Sequence, residues 1–179
     1  DGKRIEGVYI KAPTEAQLDA IEGIEGIEQG VKDSLKALRG IPGGIEYFYF
    51  GKGDGKWSFQ AEATQPLTVG EVKLKVTIIP DGNGGIERTI SPDDERLTKE
   101  EKAKLTPYRH TLTDNERAIL GTDTFEERWT INSEGKITGR NLVKLSEDKK
   151  TVVASISLSS DGKRIEGVYI KTPTVAQLE

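Results

Sequence analysis

Residues 1–19, DGKRIEGVYIKAPTEAQLD, recur almost unchanged near the other end of the chain as residues 161–179, DGKRIEGVYIKTPTVAQLE. The first eleven positions of the two copies are identical, and the only differences are Ala12/Thr172, Glu15/Val175 and Asp19/Glu179. Such a repeat predicts an underlying unit of about 160 residues. We therefore interpret residues 1–160 as a single domain unit and residues 161–179 as a duplicate of its first segment.

The origin of the duplication has two explanations. A natural protein with tandem repeats, cut across a repeat boundary, would have this sequence. An engineered circular permutant built with an overlap would have it too. The scattered differences between the copies favour natural repeats, while the absence of Met and Cys fits either explanation.

Each copy of the segment combines a turn, a strand and the start of a helix. An Asp-Gly pair is typical of a turn, and the residues after it predict a strand over 3–11. Pro13 ends this strand, and Thr14 and Gln17 then have the spacing of a capping box, which marks the start of a helix.

We predict one long amphipathic helix over residues 14–39. Its apolar side chains recur at spacings of three and four, at Leu18, Ile21, Ile24, Ile27, Val31, Leu35 and Leu38. Gly23, Gly26 and Gly30 lie on another side, and each costs about 1 kcal/mol relative to alanine inside a helix. They indicate either the close approach of a second backbone or a weak, bent helix.

The rest of the chain has the pattern of an antiparallel sheet. Alternating apolar residues and turn residues predict strands at 45–50, 56–64, 71–79, 86–90, 124–131, 136–145, 150–158 and 163–171. Two further capping boxes, Thr98 with Glu101 and Thr113 with Glu116, predict two short helices within 98–120.

This order of elements predicts an α+β fold. The expected form is a strongly curved antiparallel sheet or a partly open β-barrel of about eight strands, with the long helix packed on it. By architecture alone, it is similar to helix-grip and lipocalin-like folds. That resemblance implies a hydrophobic ligand held on the inner face of the sheet.

Composition argues against several classes of protein. The chain has no cysteine, which excludes disulfides, thiol catalysis and cysteine-ligated zinc. Its net charge is −4 and its basic residues are scattered, whereas nucleic-acid binding needs a concentrated basic face. No run approaches the roughly 20 apolar residues of a membrane-spanning helix. The sequence leaves the cellular compartment undetermined.

The sequence offers no complete catalytic or metal-binding motif. The only histidine is His110, and there is no G-x-S-x-G elbow. The glycine-rich residues 51–56 lack the phosphate-binding motif, and the loop starting at Asp81 lacks the final glutamate of a calcium loop. We predict no metal and no cofactor. An enzyme would have to use Glu127, His110 or Tyr108.

Aromatic residues in strands are the main clue to function. On an inward sheet face they either fill a core or line an apolar pocket. Glu127 shares such a face, so it lies either at the rim or buried with a cation, and it would be a polar anchor for a ligand. The candidate ligand-binding residues are Tyr47, Tyr49, Trp57, Phe59, Phe125, Glu127 and Trp129.

These observations favour a non-enzymatic binding module with an apolar, aromatic-lined pocket or a partner surface. One alternative is a structural tandem-repeat or strand-exchange assembly unit. The other is an enzyme of helix-grip-like architecture.

The duplicated strand predicts competition. A single unit has one position for this strand, so the two copies would compete for it, or one copy would pair in a neighbouring molecule. Because the first copy carries the helix of residues 14–39, we expect that helix to be docked. The strand-exchange residues are Ile5, Val8, Tyr9 and Ile10 in the first copy and Ile165, Val168, Tyr169 and Ile170 in the second.

Overall fold

The structure is a computed structural model that describes residues 7–41 and 44–171. These residues form nine strands: β1 Gly7–Lys11, β2 Tyr47–Gly53, β3 Lys56–Pro66, β4 Lys73–Pro80, β5 Ile86–Ile90, β6 Glu126–Ile131, β7 Ile137–Leu145, β8 Val152–Ser159 and β9 Ile165–Ile170. They also form four α-helices: α1 Glu15–Glu22, α2 Gln29–Arg39, α3 Lys99–Leu105 and α4 Asp114–Leu120. A short 3₁₀-helix, Thr106–Tyr108, follows α3.

The strands form one antiparallel sheet in which they follow one another in chain order, and the sheet is not closed. The predicted α+β antiparallel sheet is confirmed, but it has nine strands instead of about eight because both copies of the duplicated segment form a strand. A barrel form stays a prediction. Along the described stretches of chain, no helix is long and apolar enough to cross a membrane.

The prediction of one long helix over 14–39 is wrong. α1 ends at Glu22 with Gly23 as its C-cap, and α2 starts only at Gln29. Between them, Gly26 has a φ of 90°, in the left-handed region that glycine adopts without strain and that no right-handed helix can contain. Both helices still bury part of the predicted apolar side, namely Leu18, Ile21, Leu35 and Leu38.

The helix starts are those that the sequence predicts. Thr14, Thr98 and Thr113 each accept a hydrogen bond from the backbone N–H three residues later, and the side chain there reaches back to the threonine N–H. These capping boxes satisfy backbone groups that the first turn of a helix leaves unpaired. They place α1, α3 and α4 as predicted.

By its contacts the chain divides into two compact units. Unit 1 comprises Asp1–Gln65 and Lys73–Arg88, and unit 2 comprises Pro66–Val72 and Thr89–Glu179. The single 160-residue domain inferred from the repeat stays a prediction.

The interior of unit 1 is aromatic. Phe50 stacks on Trp57 with ring centroids 5.0 Å apart, and Phe48 lies 5.9 Å from Phe59. All four rings are buried, as are Leu74, Val76 and Ile78 of β4. Helix α2 contacts β4 in this unit.

Unit 2 has an aliphatic core. Leu120 of α4 packs with residues of β7 and β8, and Leu112, Ile119 and Phe125 lie against this cluster. The buried members of the cluster are Leu120, Leu142, Ala154, Ile156 and Leu158. Strand β6 adds a strictly alternating inward face of Glu127, Trp129 and Ile131.

The two copies of the duplicated segment do not compete for one position. β1 pairs antiparallel with β2, and β9 pairs antiparallel with β8. In the order of the sheet they are its first and last strands. Within one chain, the competition expected from the sequence is therefore absent, because each copy has its own partner strand. Ile5 lies outside the described residues.

Gly135 provides a test of backbone strain in unit 2. Its φ is 82°, and a Cβ added there would lie 2.3 Å from the carbonyl oxygen of Pro66. We expect Gly135→Ala to lower the free energy of unfolding by about 2 kcal/mol, because left-handed strain and a backbone clash add. Gly82→Ala is the matched control: its φ is 85°, but the added Cβ meets open space. It should cost about 1 kcal/mol. Urea unfolding measures both variants, and equal losses would contradict the role of the clash.

Candidate functional site

The predicted ligand residues of unit 1 have different surroundings. Trp57 and Phe59 are buried in the aromatic interior. Tyr47 donates a hydrogen bond from its hydroxyl to Glu62 at 2.8 Å. Tyr49 is half-exposed, and its ring lies so close to Gly51 that a Cβ there would be 2.5 Å from the tyrosine hydroxyl. Two of these rings are therefore packed in the unit, and Tyr49 is open to solvent.

The predicted ligand residues of unit 2 lie together on β6 or just before it. Phe125 is half-buried, whereas Glu127 and Trp129 are fully buried. Glu127 and Trp129 point inward because alternate residues of a strand share a face. Glu126, the neighbour of Glu127, lies on the opposite face and pairs with Arg128.

The buried carboxylate of Glu127 is fully engaged. One oxygen, Oε1, accepts the backbone N–H of His110 at 2.8 Å. The other, Oε2, accepts Trp129 Nε1 at 2.5 Å and Arg140 Nη1 at 2.8 Å. Burying a carboxylate requires a paired cation and hydrogen bonds. The sequence left two possibilities for Glu127, a position at the rim or burial beside a cation. Glu127 is buried beside a cation.

Arg140 supplies this cation from the neighbouring strand. It lies opposite Trp129 in the β6–β7 register, and its guanidinium is 5.6 Å from the centre of the indole ring. It also donates to the carbonyl oxygens of Tyr108, at 2.6 Å, and Ser160, at 2.9 Å. Arg140 thereby links β6 both to the 3₁₀-helix after α3 and to the turn before β9.

A second ion pair lies beside the first. Asp93 holds Arg109 through two contacts of 2.9 and 3.1 Å, and it accepts the backbone N–H of Glu127 at 2.8 Å. Ser91 donates to the carbonyl oxygen of Glu127 at 2.8 Å. The Nε of Arg109 is buried and has no hydrogen-bond acceptor among the described residues, and Glu127 Oε1 is 3.8 Å away.

His110 and Glu116 form a separate contact in the same unit. Glu116 Oε1 lies 2.8 Å from His110 Nε2 and accepts the backbone N–H of Thr113 at 2.9 Å. Because a carboxylate can only accept, His110 Nε2 carries the proton in this contact. The other side of the ring faces Gly162, where an added Cβ would lie 2.7 Å from Nδ1.

The surroundings of Glu116 shift its titration. Burial pushes the pKa of this carboxyl upward, but the N–H of Thr113 and the ring of His110 stabilise its charged form. The net result is a pKa below the ordinary value of 4.5. Glu116 is therefore ionised at neutral pH despite its burial.

A surface groove of about 980 Å³ runs past these residues. We call it the His110 groove, and its lining residues are Thr106, Arg109, His110, Thr111, Leu112, Arg117, Asp123, Thr124 and Phe125. The guanidinium of Arg109 lies 5.8 Å from the centre of the Phe125 ring. Phe125 and Thr124 also border a second depression, of about 900 Å³. Of the predicted ligand residues in unit 2, Phe125 is the one that lines both.

Sequence reasoning identified Phe125 and His110 but missed most of the groove. The capping box pointed to Glu116 as a helix-start residue and gave no sign of its contact with His110. Arg109, Leu112 and Arg117 carried no distinguishing pattern. Within residues 7–41 and 44–171, no three histidine or carboxylate side chains converge as a metal site would require.

Comparison with known proteins gives no relative: no protein-family model, no curated protein and no solved structure matches this chain.

Proposed function

We propose that the chain is a non-enzymatic binding module whose His110 groove takes a small, neutral, largely apolar ligand. The observation that carries this proposal is the position of Phe125. Its half-buried ring lines the groove, with Leu112 beside it. Ligand sites combine such apolar surface with a few fixed polar groups, which the threonines and His110 would supply.

The charges at the groove favour a neutral ligand. Arg109 is already paired with Asp93, and Arg117 is paired with Asp114 and Asp123. An anionic ligand would have to replace one of these carboxylates, and a cationic ligand would compete with an arginine. A neutral apolar molecule leaves all three ion pairs intact.

The buried network beneath the groove supports binding because it fixes one wall. The backbone N–H of His110 is held by Glu127, and the side chain of Arg109 is held by Asp93. A wall that is ordered before the ligand arrives reduces the entropy lost on binding. The same network explains how Glu127 would contribute to binding without touching the ligand.

The contact between His110 and Glu116 does not favour catalysis over binding. A histidine oriented by a carboxylate is a geometry that general-base catalysis uses. Here the carboxylate also caps α4, and Gly162 covers the Nδ1 side of the ring. Both features have a structural role that requires no reaction.

The binding proposal is tested with N-phenyl-1-naphthylamine, a neutral aromatic whose fluorescence rises in apolar sites. We expect saturable binding to the wild type and a loss of affinity of about tenfold in Phe125→Ala, because a contact worth about 1.4 kcal/mol disappears. Amide shifts on titration should centre on residues 106–112 and 122–125.

Tyr49→Ala is the control, because Tyr49 is another solvent-accessible aromatic residue but lies in unit 1. It should leave the affinity unchanged. Absence of saturable binding, or equal affinities of Phe125→Ala and the wild type, would remove the groove as a ligand site.

A further inference from the structure

Exposed apolar side chains are concentrated on three strands. Among the described residues, every exposed large hydrophobic side chain except Tyr108 lies on β1, β2 or β9, at Tyr9, Tyr49, Ile165, Val168 and Tyr169. β1 and β9 are the terminal strands of the sheet order. A terminal strand has one row of unpaired backbone groups, and such a row is a template for pairing with another chain.

The first copy of the duplicated segment uses one of its two backbone edges. The N–H of Ala12 donates to the carbonyl oxygen of Glu46 beside β2, at 2.7 Å. Because N–H directions alternate along an antiparallel strand, the backbone N–H groups of Val8 and Ile10 also point toward β2. Tyr9 and its odd-numbered neighbours then point their backbone groups away from β2.

The second copy uses the opposite edge. The N–H of Lys171 donates to the carbonyl oxygen of Val153 in β8, at 2.9 Å. By the same alternation the backbone groups of Tyr169 point toward β8, whereas those of Val168 and Ile170 point outward. The edge that β9 leaves free is therefore the edge through which the identical residues of β1 bind β2.

The side chains agree with this complementarity. In β1, Val8 lies opposite Phe50 and Ile10 opposite Phe48, both of which are buried. In β9, Val168 lies opposite the buried Ile156. Residues directly opposite one another share a sheet face. The segment therefore directs the same side chains to the sheet face that carries these buried residues in both copies, whichever edge is bonded, although Val168 itself is exposed in β9.

We propose that β9 of one chain pairs through its free edge with β2 of a second copy, at the position that β1 of that copy otherwise occupies. Val168 would then lie opposite Phe50 of the partner subunit, and Tyr169 opposite Tyr49 of the partner subunit. The strand bonds β8 on one side and the partner's β2 on the other. This surface is separate from the His110 groove, and the proposal does not depend on ligand binding.

The exchange is favoured by prior ordering of β9. Residues 7–11 and 167–171 are identical, so the same side chains meet β2 in both arrangements. β9 is already fixed on β8, whereas β1 regains backbone conformational entropy when it is released. The contact joins unlike surfaces, so it propagates head to tail into a ring or a fibre.

A matched pair of proline variants tests the proposal by native mass spectrometry over a range of concentrations. Val168→Pro removes an outward N–H, which an edge strand tolerates. It should shift the concentration-dependent oligomers of the wild type to monomers. Val8→Pro removes the equivalent N–H where it bonds β2, which should release β1 and increase assembly. A wild type that is monomeric throughout, or equal effects of the two variants, would overturn the proposal.

Disulfide trapping gives a second readout that is independent of proline effects on folding. The chain has no cysteine, so a pair can be introduced without background. Tyr169→Cys with Tyr49→Cys places the thiols in the proposed register, about 4.5 Å apart between Cα atoms, which is within disulfide range. Oxidation should give covalent dimers and larger species. Tyr169→Cys with Lys52→Cys is out of register and should not. A disulfide within one chain, or none, would contradict exchange.

Discussion

Glu127→Leu will lower the free energy of unfolding by about 3–5 kcal/mol, a large share of the stability of an ordinary domain. The substitution leaves Arg140 as a buried charge, with its side chain only 13% exposed. The N–H groups of Trp129 and His110 lose their acceptor as well. Urea unfolding followed by far-ultraviolet circular dichroism measures the loss.

Glu126→Leu is the matched control because it is the same substitution one residue away on the opposite face. Glu126 pairs with Arg128, and both are partly exposed, so the pair contributes about 0–1 kcal/mol. The double variant Glu127→Leu with Arg140→Leu should regain much of the stability, since replacing both ions removes the uncompensated charge. Similar losses for Glu126→Leu and Glu127→Leu would show that the buried ion pair is not responsible.

Glu116→Ala should cost about 2–4 kcal/mol, because it removes a helix cap and the partner of a partly buried histidine together. Glu101→Ala is the matched control: Glu101 occupies the same capping-box position in α3, and no histidine contact accompanies it there. Its loss should be about 1 kcal/mol. Thermal and urea unfolding compare the two, and equal losses would remove the contribution of His110.

The same carboxylate predicts a pH dependence of stability. The folded-state pKa of Glu116 is lowered because hydrogen bonds from Thr113 and His110 outweigh the effect of burial. A depressed folded pKa stabilises the protein fully above the ordinary value of 4.5, and this contribution is lost as the pH falls through the folded value. The stability difference between wild type and Glu116→Gln should therefore shrink with acidification. A difference independent of pH would contradict this assignment.

Local signals in the sequence predicted local structure well. The capping boxes at Thr14, Thr98 and Thr113 depend on residues three positions apart, and all are present. Strand alternation placed Trp57 and Trp129 inward. The prediction of one long helix failed because Ile24 and Ile27 keep the helical spacing although they lie in the loop between α1 and α2. In this loop Gly26 adopts a left-handed conformation.

The candidate site was harder to predict because it is assembled from distant parts of the chain. Glu127 was expected to lie at a rim or with a cation, and its buried position follows from strand alternation. Its contacts with His110 and Arg140, and that of Asp93 with Arg109, depend on the paths of the loops. The spacing of apolar residues in a sequence does not predict the paths of loops.

The duplicated ends show a different limit of sequence reasoning. A side-chain pattern indicates which residues of a strand share a face, and Val8 and Val168 lie opposite the buried Phe50 and Ile156. It does not reveal which backbone edge is bonded. The expected competition assumed one position for the strand in the sheet, whereas β1 and β9 have different partner strands and bond them through opposite edges.

Each unit contains one of the chain's two tryptophans, Trp57 in unit 1 and Trp129 in unit 2. The protein thus carries its own pair of spectroscopic labels. Trp57→Phe leaves an emission signal from unit 2 alone, and Trp129→Phe leaves one from unit 1 alone. Melting curves of these single-indole variants therefore follow the two halves of the chain separately, without any added dye.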